Sequence, residues 1–141
     1  GDGLMAFLNA AVEQHDHALR GVQMAVHMQR RIKLNAAEWE FLGMPDLAAG
    51  VGISTGEEVV GYVGTGARMQ YTAIGSSVNL AARLEGLNKD LGTDILISQS
   101  TYELVADDVI ADPMGPIEVR GFSEPVEIYS VRDLKTVANG G

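Results

Sequence analysis

The spacing of apolar side chains changes period several times along the chain, and each change marks an element. Over residues 70–88, QYTAIGSSVNLAARLEGLN, a short extended piece (70–74) turns through Gly75 and opens a helix whose N-cap is Ser76 or Ser77. In that helix Leu80, Leu84 and Leu87 fall on one stripe at the 3.6-residue period and are expected to face a core. Asn79 and Arg83, at i and i+4, share a neighbouring face.

Upstream, residues 1–10 lead through a turn into a strand whose apolar content is Leu4, Met5, Phe7 and Leu8. A helix capped by Asp16 follows, with Leu19, Val22, Val26 and Met28 inward and Arg20, Gln23, Arg30, Arg31 and Lys33 outward. The basic residues near its end complement a helix C-terminus, and a solvated helix end accounts for them. Residues 35–46 are less regular, anchored on Trp39, Phe41 and Leu42 before Pro45 breaks the pattern. Residues 47–64 read as a hairpin turning at TGEE, and its strand glycines suggest the close approach of another backbone or subunit. Beyond the central helix, where Glu85 and Lys89 read as a surface pair, come a strand (94–98), a short amphipathic helix (98–106) and two last strands (109–120 and 126–131). Hairpins mixed with helices in this order predict an α+β sandwich, one mainly antiparallel sheet with helices packed against it.

Composition narrows the partners. The 141 residues, 46% hydrophobic, suffice for one core, so a single domain over residues 1–134 with a flexible tail at 135–141 is expected. A formal charge of −9 argues against nucleic acid or an anionic membrane surface as the main partner, since both require a basic face. With no cysteine there is neither a disulfide framework nor a thiolate nucleophile, as suits a cytoplasmic protein. No apolar run approaches the ~20 residues of a membrane span. The chain opens with Gly rather than Met and reads as a piece of a longer protein, whose membrane or sensor regions lie elsewhere.

Candidate chemistry is sparse and specific. An amide can orient a sugar oxygen and a guanidinium can neutralise charge on a phosphate, so Asn79 beside Arg83 suits nucleotide chemistry, although the same pair also describes an ordinary solvated helix face. The hairpin glycines form neither a G-x-x-x-x-G-K-[ST] phosphate loop nor a G-x-G-x-x-G opening a helix. His15 and His17 alternate at a helix entry, do not converge, and read as surface.

The stretch YTAIGSSVNLAARLE closely resembles the signature of class III nucleotidyl cyclases, which make cyclic AMP or cyclic GMP from a nucleoside triphosphate. Upstream GDGLMAF, DHALRGVQMAVHMQ and VGISTGEEVVGYVG, and downstream ILISQSTYELV and VRGFSEPVEIYSV, continue the resemblance over nearly the whole chain. It implies a ferredoxin-like core, a head-to-tail homodimer with active sites between protomers, and two divalent ions, Mg²⁺ or Mn²⁺, per site. By the same resemblance Asp2 is a metal carboxylate, Thr72 reads the purine edge, Asn79 orients the ribose, Arg83 stabilises charge at the reacting phosphate, and Arg120 stands where a triphosphate-binding lysine is common. Thr72 implies ATP as substrate, because guanylate-specific members usually carry Cys there. The family's domain begins earlier, with a strand bearing a second metal aspartate, so this chain alone is expected to be catalytically silent. A non-catalytic module of the same build, for dimerisation or nucleotide sensing, is the alternative.

Overall fold

The computed structural model describes residues 4–8, 14–41, 43, 50–55, 59–64, 76–119 and 122–135. Six strands form one sheet: β1 (Leu4–Leu8), β2 (Gly50–Thr55), β3 (Val59–Gly64), β4 (Ile95–Ser98), β5 (Val109–Ile117) and β6 (Val126–Leu134), in the order β1-β3-β2-β4-β6-β5. Only the β2–β4 pair is parallel; the other four neighbouring pairs are antiparallel. The predicted hairpin is present, with Thr55 opposite Val59 and Gly50 opposite Gly64.

Among the described residues there are four helices, α1 (Gln14–Leu34), α2 (Ala36–Phe41), α3 (Ser76–Leu91) and α4 (Gln99–Val105), of which α1, α3 and α4 pack on the sheet. Because β1 and β2 both run antiparallel to β3, they are parallel to each other, and α1 connects them across the intervening strand as a split βαβ unit. Strand side chains alternate between the faces. Val51, Ile53, Ile95 and Ile97 pack with Ala18, Val22 and Val26 of α1 and Val105 of α4, while Leu96 and Ile128 pack on the opposite face with Leu80, Leu84 and Leu87 of α3. The expected α+β sandwich is therefore the fold, and the leucine stripe faces the core as its period required.

Several local expectations change. Helix α1 begins at Gln14, so Asp16 lies within the first turn, where its carboxylate favours the helix dipole, and is not the cap. The less regular segment contains α2, and its Phe41 is 88% exposed and anchors nothing among the described residues; the side chains of Trp39 and Leu42 lie outside the described set. His17, read as surface, is half-buried, and its Nδ1 is enclosed with no hydrogen-bond partner among the described residues. Two of the basic residues ending α1 are paired: Arg30 with Asp133, and Lys33 with Asp94 at 2.6 Å. Both pairs are exposed, and such pairs contribute only about 0–1 kcal/mol. Ser98 caps α4, its hydroxyl accepting from the amide of Thr101.

Strand β5 closes one side of the sheet. It carries Pro113 and Pro116, and its register against β6 shifts between Ile110 and Ala111 and again between Pro113 and Gly115.

Candidate active site

Helix α3 carries the two described site candidates, and the way it is seated decides what they can do. Along β2, Val51 and Ile53 point toward α1, which leaves Gly52 facing α3. A Cβ on Gly52 would lie 2.2 Å from the Ala81 carbonyl oxygen and 2.5 Å from the Glu85 amide nitrogen, so the helix backbone rests directly on the strand backbone. Gly50, two residues earlier on the same face, is close but less tight, with Asn88 Nδ2 3.0 Å from the position of a Cβ. Of the hairpin glycines read in the sequence as allowing a close backbone approach, Gly50 and Gly52 do so, and the backbone they admit is that of α3.

A helix seated this deeply buries most of its circumference. Leu80, Ala81, Ala82, Leu84, Glu85, Leu87 and Asn88 are all buried, and each leucine contributes about 1.5–3 kcal/mol on burial. Asn79 and Arg83 stay half-exposed on the remaining face, one helical turn apart and roughly 6 Å along the axis. The amide and guanidinium are thus displayed side by side by a helix that cannot easily move. Asp2, Thr72 and Arg120 lie outside the described residues, as do the extended piece 70–74 and the turn at Gly75.

Two residues at the seat were not anticipated. Asn88, 4% exposed, donates from Nδ2 to the Val51 carbonyl at 3.0 Å, and its Oδ1 accepts from the Thr93 hydroxyl at 2.8 Å. Glu85 is only 3% exposed and so is not the surface partner of Lys89 that its spacing suggests; Lys89 itself is exposed. The signal for both was the Gly50 and Gly52 pair, which lets α3 sink until its flank as well as its leucine stripe is covered.

Burial raises the Glu85 pKa above the usual carboxylate range, because the charged form loses hydration. The folded state then holds this proton more tightly than the unfolded chain, so the contribution is least unfavourable below the unfolded value of about 4.3 and worsens as pH rises through the folded pKa. Glu85→Gln should therefore melt at a higher temperature than the parent chain at pH 7–8, with the difference shrinking toward pH 4. Thermal unfolding followed at both pH values checks this, and a difference that is constant with pH would contradict it.

A cleft of about 570 Å³ opens at the ends of β2 and β4, lined by Thr55, Leu80, Ser98, Ser100 and the loop that precedes β6. Neither Asn79 nor Arg83 is among its described lining residues. Among the described residues no group of three or more His, Asp or Glu side chains could hold a metal ion, and no helix is long and apolar enough to cross a membrane.

The structure is thus an α+β domain in which a sheet-anchored helix presents an amide and a guanidinium side by side, and the comparisons with known proteins give its family. Residues 1–133 match the family described as the adenylate and guanylate cyclase catalytic domain, and the chain belongs to that family. It is 38% identical over 99% of its length to adenylate cyclase 1 of Rhizobium meliloti, and 37% identical over 94% to the terminal-differentiation-specific adenylate cyclase of Dictyostelium discoideum. It spans only 21% and 6% of those two proteins. Among solved structures, the guanylyl cyclase Cya2 shares 34% identity at a TM-score of 0.65, and the adenylyl cyclase CyaB from P. aeruginosa 32% at 0.58. The match covers 92% of this chain in both cases, and 65% and 68% of the respective structures.

Proposed function

We propose that the protein containing this chain converts ATP to 3′,5′-cyclic AMP and pyrophosphate at a site shared between two protomers. The observation that carries the reading is the rigid presentation of Asn79 and Arg83 on one face of α3, within a chain of the cyclase family. In the reaction the ribose 3′-hydroxyl gives up its proton to water, its oxygen bonds to the α-phosphorus, and the bond from that phosphorus to the bridging oxygen of pyrophosphate breaks. No covalent nucleophile is required; the work is positioning and neutralisation of charge.

Each residue then has a part. Asn79 orients the ribose so that the 3′-oxygen lines up with the α-phosphorus, and Arg83 meets the negative charge that builds on the phosphate oxygens and the leaving group. Thr72 contacts the purine edge and Arg120 the triphosphate. Asp2, contributed by the facing protomer, would hold a divalent cation, whose charge would supply Lewis-acid stabilisation at the phosphates. A hard cation among phosphate oxygens calls for carboxylate ligands, and an acidic chain of charge −9 relies on such local cations to admit a triphosphate at all.

The test is product formation by the full-length protein with Mn²⁺ or Mg²⁺ and with ATP and GTP in competition. Cyclic AMP should form faster than cyclic GMP. Faster cyclic GMP would reverse the substrate assignment, and absence of both products with a folded dimer would favour the non-catalytic module.

A further inference from the structure

The catalytic reading of Arg83 requires α3 to sit at a defined height on the sheet, and one buried side chain is built to set that height. Close contact at Gly52 fixes how near the helix comes, but backbone contact alone leaves a helix free to slide or roll. Asn88 removes that freedom. Its Nδ2 reaches the Val51 carbonyl on β2, its Oδ1 takes the Thr93 hydroxyl, and its own carbonyl accepts from the Thr93 amide at 3.0 Å. The segment just beyond the helix is held in turn: the Asp94 carbonyl accepts from the Val51 amide at 3.0 Å and from Gln29 Nε2 of α1 at 3.0 Å. Helix, strand and the following turn are thus joined at one buried amide, roughly 7 Å along the axis from Arg83 and 13 Å from Asn79.

We propose that Asn88 is a positioning residue for the cyclisation reaction, acting through Arg83 by locking the register of α3 on β2. The proposal rests on the catalytic reading of Arg83 given above. A hydrophobic residue would fill the same space without either directional bond, so nothing at this position would hold the helix to the Val51 carbonyl or the Thr93 hydroxyl. A displacement of about 1 Å at a reacting centre can cost on the order of 10²-fold in rate, which sets the scale of the effect.

The experiment is a double-mutant cycle in the full-length protein, with Asn88→Leu, Thr93→Val and Arg83→Ala made singly and in combination. Turnover of ATP is measured together with direct binding of 3′-deoxy-ATP, which lacks the attacking hydroxyl. Asn88→Leu should lower kcat about 10- to 100-fold and Thr93→Val about 3-fold, while 3′-deoxy-ATP affinity stays within about 3-fold. In the Arg83→Ala background either change should lower the residual kcat by less than about 2-fold, because the group being positioned is gone. Undiminished losses in that background would overturn the proposal and leave Asn88 a purely structural residue, as would a normal kcat in the Asn88→Leu protein. Should Asn88→Leu not fold, the Thr93→Val cycle decides by the same criterion. Wild-type turnover by Arg83→Ala alone would instead overturn the catalytic reading itself, and the proposal with it.

Discussion

Arg83→Ala is expected to lose roughly 10²-fold or more in kcat while nucleotide affinity and melting temperature change little. The asymmetry follows from where the side chain stands. Arg83 is half-exposed on the one face of α3 that the sheet leaves uncovered, and among the described residues it holds no hydrogen bond or ion pair. Its removal therefore opens no cavity and strands no buried partner, the usual sources of a large stability loss. A guanidinium that meets charge developing only in the transition state stabilises that state more than the bound substrate, so its loss lowers kcat and leaves ground-state binding nearly intact. Steady-state kinetics on purified variant, with calorimetry on the same sample, separates the two. Near-normal kcat joined to a much lower melting temperature would assign Arg83 to structure.

Gly52→Ala should be strongly destabilising. The new Cβ would fall 2.2 Å from a backbone carbonyl oxygen, a contact no side-chain rotation can relieve, so α3 must lift from β2 by about 1 Å. Overpacking of this kind costs about 3 kcal/mol or more at the severe end, which corresponds to a fall of roughly 10 °C in Tm. Since the whole helix moves, kcat should fall by as much as about 10²-fold even in the fraction that folds. Gly50→Ala meets its neighbours only at 3.0–3.1 Å, partly through the Asn88 side chain, and should be clearly milder. Equal melting temperatures for the two variants would show that the helix is not seated as described.

The fold was largely legible in the sequence because its elements are short and punctuated. Leu80, Leu84 and Leu87 declared the inward stripe of α3 by period alone, and the strand runs on either side of TGEE declared the hairpin. What spacing could not convey was depth. Glu85 and Lys89 sit at i and i+4 with opposite charge, which ordinarily describes a solvated face, yet β2 offers hydrogen atoms where it could have offered side chains and the helix sinks past Glu85. Phe41 failed in the opposite sense: a large aromatic in an irregular stretch reads as an anchor, but a helix of only six residues leaves its last position pointing away from the described core. The candidate site was legible for a different reason. Asn79 and Arg83 carry their chemistry in residue type and helical offset, both of which survive without knowledge of tertiary packing, whereas the bond from Asn88 to the Val51 carbonyl joins residues 37 positions apart and has no local signature.

The prolines of β5 have a bearing on how copies of this domain can meet. A terminal strand normally offers a ladder of free amides to any extended chain that drifts alongside, which is how sheets fuse into filaments. Here two of the nine positions have no amide hydrogen to offer, and two register shifts break the even spacing that an incoming strand would have to match. That margin is a poor template for runaway polymerisation, so a domain proposed above to share its site with a second copy is guarded, on this side, against pairing without end.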